Sequence, residues 1–306
     1  MTFELTILGS GSALPTSRRY PTAQAVNVLE RFFLIDCGEG TQLQLRKSKI
    51  RLAKLNNIFI SHVHGDHVFG LFGLLSTFNL LGRKTELKIF GPQALKEILY
   101  FYIQNFTEEL QYKIVFNPVD GRTKNLIFED KVSEVYSFPL KHRVPTFGYL
   151  IREKEKLPNI RKEAIEKYNL GVKDILSIKE GNPFHFNNKK IDPESLIIPS
   201  SKPRSYAYCS DTAYYERIIP WIKGVDLLYH EATFQISEKK IARQTLHSTA
   251  SQAATIAKKA GVKKLLLGHF SNRYAELDSL LKEAQSIFPE SYIVEDLDVY
   301  SVPENK

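Results

Sequence analysis

The stretch Asn57-Ile58-Phe59-Ile60-Ser61-His62-Val63-His64-Gly65-Asp66-His67 decides how this chain is read. Its first four residues form an apolar run that reads as a strand. It then sets four potential metal donors, His62, His64, Asp66 and His67, into six residues. A single histidine after a strand is more often structural. Three imidazoles and a carboxylate in a turn punctuated by Gly65 are hard to explain as core packing. Extended residues two apart point to the same side, so His62 and His64 can reach one ion. The turn at Gly65 and the start of the next helix aim Asp66 and His67 elsewhere, toward a second ion. Imidazole and carboxylate donors at neutral pH suit zinc.

Working outward, the same context recurs: an apolar strand that ends in a donor residue. The strand within residues 132–140 leads to His142, Tyr206-Ala207-Tyr208-Cys209 leads to Asp211, and Leu265-Leu266-Leu267-Gly268 leads to His269. Functional sites gather where strands give way to loops. Asp211, with two carboxylate oxygens, is suited to bridge two cations.

The rest of the chain frames these positions. Short apolar runs predict strands at residues 5–8, 25–29, 32–35, 58–60, 87–90, 132–140, 206–209, 227–229, 264–267 and 292–295. Helical stretches fall at 41–48, 68–81, 92–106, 249–259 and 276–288. Ser248 or Thr249 can cap the fourth helix and Gly261 can end it. Strands and helices mixed along all 306 residues, 43% of them apolar, indicate one large α/β (α+β) domain with a substantial core. No apolar run reaches the roughly 20 residues that span a bilayer. The start, Met1-Thr2-Phe3-Glu4, lacks a signal-peptide pattern, and two cysteines make no disulfide framework, so a reducing cytoplasm is expected. The formal net charge of +8 favours polyanionic partners, although a charge set for solubility explains it as well. Residues 152–190 hold ten Lys/Arg against six Asp/Glu and read as a basic insertion standing out from the core.

Other candidates are set aside. Gly9-Ser10-Gly11 has Leu14 where a nucleotide loop needs its third glycine, so it reads as a tight turn. Cys209 lies inside an apolar strand and reads as a buried spectator. Trp221 reads as a packing residue, and His185 receives no role.

The cluster His62-x-His64-x-Asp66-His67 resembles the signature of the metallo-β-lactamase superfamily. Further stretches resemble one branch, the ribonuclease Z endonucleases, which mature tRNA 3′ ends. They include Leu8-Gly9-Ser10-Gly11-Ser12, Asp36-Cys37-Gly38-Glu39-Gly40-Thr41-Gln42, Lys141-His142-Arg143-Val144-Pro145, Ser210-Asp211-Thr212, His230-Glu231-Ala232-Thr233-Phe234, His247-Ser248-Thr249 and Gly268-His269-Phe270-Ser271-Asn272-Arg273-Tyr274. They span nearly the full length. The resemblance implies an αββα sandwich, commonly a homodimer, with two Zn2+ per subunit. His62, His64 and His142 would hold one ion, Asp66, His67 and His269 the other, with Asp211 between them and Asp36 supporting from behind. The implied substrate is precursor tRNA. Its phosphodiester is hydrolysed to leave a 3′-hydroxyl on the tRNA and a 5′-phosphate on the trailer, and a two-metal centre supplies hydroxide and charge stabilisation for this. Asp66 is then the expected proton acceptor. His247, oriented by Glu231, is the expected donor to the leaving oxygen, although on pattern alone it merely precedes a helix cap. Ser248, Thr249 and Arg273 are the expected phosphate contacts. The family's tRNA-gripping arm falls at the basic insertion, where Leu170-Gly171-Val172-Lys173-Asp174 replaces its usual Gly-Pro motif. Rival expectations are another hydrolase of the same fold, such as a phosphodiesterase or lactonase, and a non-catalytic RNA-binding protein.

Overall fold

A computed structural model of the chain describes residues 2–107 and 109–302. In chain order the first half is β1 (Phe3–Gly9), β2 (Ala23–Val28), β3 (Arg31–Ile35), α1 (Thr41–Lys47), β4 (Leu55–Phe59), α2 (Gly65–Leu80), β5 (Leu87–Gly91), α3 (Ala94–Phe106) and β6 (Ile114–Pro118). Then come β7 (Asn125–Glu129), β8 (Ser133–Pro139) and β9 (Phe147–Glu153). After β10 (Asn159–Ile160), α4 (Lys162–Tyr168), α5 (Val172–Lys179), β11 (Phe184–Phe186), β12 (Lys189–Ile191), α6 (Pro193–Leu196) and β13 (Ile197–Ile198), the chain runs through β14 (Ser205–Cys209), β15 (Leu227–Glu231), α7 (Lys239–Thr245) and α8 (Ala250–Ala260). It ends with β16 (Lys264–Gly268), α9 (Asp278–Gln285), β17 (Ser291–Ile293) and β18 (Val299–Ser301).

Two seven-stranded sheets form among the described residues, in the orders β18-β1-β2-β3-β4-β5-β6 and β17-β16-β15-β14-β9-β8-β7. Both are mixed: β3 to β6 pair in parallel, as do β14 to β17, while β1–β2 and β9–β14 are antiparallel. The strands read as near-continuous apolar runs because both faces of each sheet are covered. Phe33, Ile35, Phe59 and Phe90 face the inner core with Phe138, Tyr149, Tyr206 and Tyr208 of the second sheet. Their neighbours Leu34, Ile58 and Ile89 face outward and pack on Leu71, Leu74 and Phe78 of α2 and Leu95 and Leu99 of α3. Ala253, Ala254, Ile256 and Ala257 of α8 cover the second sheet. The result is the expected sandwich of two mixed sheets with helices outside. Burying each large apolar side chain contributes about 1.5–3 kcal/mol, which fixes the register of every central strand.

Three differences from the sequence reading have local causes. The second helix starts at Gly65, three residues earlier than expected, so Asp66 and His67 sit in its first turn, where an acidic side chain meets the positive end of the helix dipole. Strand β9 escaped notice because Gly148 interrupts its pattern; a Cβ there would lie 2.3 Å from the Phe138 ring, so the gap is a packing requirement. Strands β6, β7 and β18 are half exposed and carry too few apolar residues to stand out.

Residues Glu153–Pro203 cluster as a separate compact unit. Ile160, Ala164, Leu170, Ile178 and Leu196 give it a small core of its own. Gly171 opens α5, its N–H donating to the Asp174 carboxylate at 2.9 Å, so the residues that replace a Gly-Pro motif serve as a helix start. The unit runs 13 residues beyond the expected 190, and those residues add Asp192, Glu194 and Lys202. As a whole it carries ten Lys/Arg and eight Asp/Glu, a smaller basic excess than residues 152–190 alone.

Candidate active site

All seven expected donors converge at one edge of the sandwich. From the first sheet, β4 delivers His62 and His64, and the first turn of α2 delivers Asp66 and His67. From the second, His142 follows β8, Asp211 follows β14 and His269 follows β16. The donor atoms of His62, His64, His142 and Asp211 lie within 4.8 Å of one another, as do those of Asp66, His67, Asp211 and His269. Asp211 belongs to both groups. Its Oδ2 faces His62 Nε2 at 3.6 Å and His142 Nε2 at 3.8 Å, while its Oδ1 faces His67 Nε2 at 3.3 Å and His269 Nε2 at 3.1 Å. One oxygen toward each group is the geometry a bridging carboxylate needs.

Most of these rings are held from behind, which leaves the inner nitrogen free to ligate. His67 Nδ1 lies 2.8 Å from Asp36 Oδ2, His142 Nδ1 lies 3.0 Å from the Leu246 carbonyl, and His269 Nδ1 lies 2.9 Å from Thr233 Oγ1. The Ser61 hydroxyl lies 3.0 Å from His62 Nδ1 and donates to Asp36 at 2.8 Å. Asp36 also accepts from Tyr208 Oη at 2.6 Å and from the Ser61 N–H at 2.7 Å. Asp36 and His269 both take left-handed backbone angles, φ +55° and +59°. Such angles are uncommon outside glycine and persist where surrounding structure over-determines them.

The donor set fits divalent metal. His67 Nε2 is buried with no hydrogen-bond partner, an expense a folded chain seldom carries unless a ligand completes it. Burial would raise the Asp66 carboxyl, but His67 and His269 beside it outweigh that and hold it well below the usual carboxylate range. Burial and the neighbouring imidazoles push His62 down, toward the neutral form that ligates.

Beside the cluster, Glu231 is fully buried at the end of β15. It accepts from the N–H groups of Thr212 and Thr233, from the Thr233 hydroxyl, and from His247 Nδ1 at 2.8 Å. Burial alone would lower the His247 imidazole; the Glu231 charge and hydrogen bond reverse this and raise it to about 9. The other face of His247 stacks near His269, with ring centroids 5.4 Å apart. A cavity of about 360 Å3 opens onto His64, Asp66, His142, Asp211, His247 and His269. Glu231, His247 and His269 also bring donor atoms within 4.8 Å of one another, but the Glu231 oxygens are already taken up by Thr212, Thr233 and His247.

The expected phosphate contacts divide. Arg273 lines the cavity, where it pairs with Glu238 at 2.9 Å and lies over the Phe234 ring. Ser248 and Thr249 do not reach it. Both are fully buried; the Ser248 hydroxyl donates to the Thr212 carbonyl, and Thr249 caps α8 in a reciprocal bond with Gln252. The N–H groups of Ala250 and Ser251 are taken by the Phe234 carbonyl and by Glu283. The first turn of α8 therefore has no free donors for phosphate. The supporting residues Ser61, Tyr208 and Thr233 were not singled out from sequence; Ser61 adjoins His62, but nothing local marks its partner. Cys209 is fully buried within β14, burial pushing its thiol up, and Trp221 packs near Phe138 with ring centroids 6.0 Å apart.

Comparison with known proteins extends this picture. Residues 173–270 match the family model described as a beta-lactamase superfamily domain, and residues 3–105 match that of the anti-Pycsar protein Apyc1. A ribonuclease Z of Bacteroides fragilis is 46% identical over 301 residues, covering 96% of this chain and 97% of its own. A ribonuclease Z of Phocaeicola vulgatus is 49% identical over 292 residues, covering 95% and 94%. Among solved structures, the short form of human tRNase Z superposes with a TM-score of 0.71 at 27% identity, covering 98% of this chain and 99% of its own. Identity of this order over nearly the whole length, on the expected fold, establishes that the chain belongs to the ribonuclease Z family.

Proposed function

We propose that this chain is a zinc-dependent endoribonuclease that removes 3′ trailers from precursor tRNA, leaving a 3′-hydroxyl on the tRNA and a 5′-phosphate on the trailer. The observation that carries the reading is the His247–Glu231 pair, set at 2.8 Å beside two donor groups that share Asp211. His62, His64 and His142 would hold one Zn2+ and Asp66, His67 and His269 the second, with Asp211 belonging to both donor groups. Ions bound there supply a nucleophile at neutral pH and offset charge on the phosphoryl oxygens. The chain's own residues then move the protons. Asp66, held ionised, accepts the proton of the attacking water. His247, held protonated by Glu231, gives its proton to the ribose 3′ oxygen as it leaves. Arg273 contacts a phosphate at the cavity wall.

The compact unit at residues 153–203 is the candidate tRNA-gripping arm. Exposed apolar side chains on α2 and α3, Phe69, Tyr100, Phe101 and Phe106, each more than half exposed, support a homodimer that covers them. No helix among the described residues is long and apolar enough to cross a membrane, in keeping with a cytoplasmic enzyme. The test is to incubate 3′-extended precursor tRNA with metal-loaded and with chelated protein and map the cut. Cleavage at the tRNA 3′ boundary, lost on chelation and restored by zinc, is expected. Intact precursor alongside rapid cleavage of a chromogenic phosphodiester would sink the reading. Analytical ultracentrifugation checks the dimer.

A further inference from the structure

Part of the cavity's lining comes from a loop, residues 10–20, which contributes Ser12, Ala13 and Leu14 alongside His247 and Arg273. Short polar loops are ordinarily mobile, and this one contains no regular structure beyond the bridges of Gly11 to Pro21 and Phe270. It is nevertheless pinned at several points, beginning with Ser12 N–H to the Phe270 carbonyl and Phe270 N–H to the Ser10 carbonyl, both at 3.1 Å. Both of its feet rest on one carboxylate: Asp296 Oδ1 accepts from the Ser10 N–H at 2.9 Å and the Ser10 hydroxyl at 2.7 Å, and Oδ2 accepts from the Tyr20 N–H at 2.7 Å. The loop closes on itself through Gly11 N–H to the Tyr20 carbonyl at 3.0 Å. Its far side is tied by Arg19, which donates to the carbonyls of Tyr274 at 3.0 Å and Ala275 at 3.3 Å and lies over the Phe270 ring. Ser271 to Arg273, which also line the cavity, directly precede those carbonyls. Asp296 itself lies in the strand-free segment between β17 and β18, held against β1 by Leu297 N–H to the Ile7 carbonyl. It touches none of the residues that carry the hydrolytic chemistry.

The geometry points to Asp296 as a positioning residue for the RNA substrate: its two oxygens, with Arg19, hold the loop as a preformed wall of the cavity, so that substrate is not charged with ordering it. This rests on the reading of the chain as a nuclease of precursor tRNA. Charge-assisted hydrogen bonds to a carboxylate are the stronger kind, and a loop ordered before binding spares the entropy of ordering it afterwards. A small phosphodiester that sits on the donor cluster alone does not need the wall.

The test compares Asp296→Asn and Arg19→Ala with the unaltered protein. Asparagine keeps an acceptor for Ser10 but turns a donor toward the Tyr20 N–H, and Arg19→Ala leaves the Asp296 contacts intact, so one variant serves if the other folds poorly. Steady-state kinetics use 3′-extended precursor tRNA and bis(4-nitrophenyl) phosphate; amide hydrogen exchange over residues 10–20 is followed in metal-free protein. The expected result is KM for precursor tRNA raised about ten-fold, with kcat and the chromogenic rate within about two-fold, and faster exchange across the loop. Faster exchange with unchanged KM overturns the proposal, as does an equal loss on both substrates, which would make the clamp a support of the hydrolytic centre. If the unaltered protein cleaves the chromogenic diester but no precursor tRNA, the functional reading fails and the RNA part of this inference with it. The exchange data still decide whether Asp296 and Arg19 order the loop.

Discussion

At the scale of single residues, the proposed chemistry turns on a buried carboxylate and the imidazole it charges. Glu231 has no exposure and spends every oxygen lone pair it can on Thr212, Thr233 and His247. His247→Ala is expected to retain metal, measured by elemental analysis, while kcat on precursor tRNA falls by about 10²–10⁴-fold, the usual worth of general acid catalysis. Full activity at normal metal content would remove His247 from the donor role. Glu231→Gln tests the cause of the shift. His247 is raised to about 9, so it holds its proton through neutrality and loses it as pH rises past that value. The alkaline limb of kcat should therefore lie near pH 9 and move to lower pH once the Glu231 charge is gone; a limb that stays put refutes the coupling.

The same scale shows why some of the site was legible in sequence and some was not. Each of the seven donors follows an apolar strand or opens the helix behind one, and local pattern alone exposes that. Asp36, Ser61 and Tyr208 form the layer behind the donors, and their partnership spans 172 positions for Tyr208 and Asp36. Nothing in a local window marks a tyrosine at the end of a buried strand as a hydrogen-bond donor rather than core. Ser248 and Thr249 failed in the opposite way. Their position before a helix is real, but tertiary partners consume the hydroxyls and N–H groups that a phosphate would need.

Among the secondary-structure elements, α8 shows the two uses of a cap. Thr249 and Gln252 satisfy each other's backbone groups, and Gly261 ends the helix at φ +63°. Thr249→Ala is expected to lower unfolding free energy by about 1 kcal/mol in chemical denaturation, with KM for precursor tRNA unchanged. A raised KM at unchanged stability would restore the phosphate role. The compact unit offers a cleaner cut. Arg152 and Ser205 are paired across β9 and β14, so a three-residue loop, Asn-Gly followed by Arg204, can join the two strands once residues 153–203 are removed. That deletion is expected to raise KM for precursor tRNA at least ten-fold while sparing small phosphodiesters. Equal loss on both would refute the gripping role. The helices and central strands were legible because burial on both faces writes apolar residues into them; β6, β7 and β18, at sheet edges and half exposed, were not.

For the molecule as a whole, the donors come from both sheets, so ligand binding ties one half of the sandwich to the other. An ion that binds only the folded state stabilises it by about 2.7 kcal/mol at a free concentration one hundred times Kd. For a chain of 306 residues, whose unfolding entropy is about 0.6 kcal/mol/K, that corresponds to a rise in Tm of roughly 4 °C. Chelation should reverse it in calorimetry, and an unchanged Tm would show that the cluster holds no metal in the folded protein.

The order of the donors along the chain also sets a clock. A growing polypeptide presents residues 62–67 early, but His142, Asp211, His247 and His269 follow over the next two hundred positions, and Asp296 comes later still. Domains fold from the N-terminus as synthesis proceeds. Strands β1 to β6 of the first sheet can therefore assemble while its donors remain half a centre, and a product of translation that stops short of His269 lacks a closed one. The nuclease stays silent until almost all of its own message has been read.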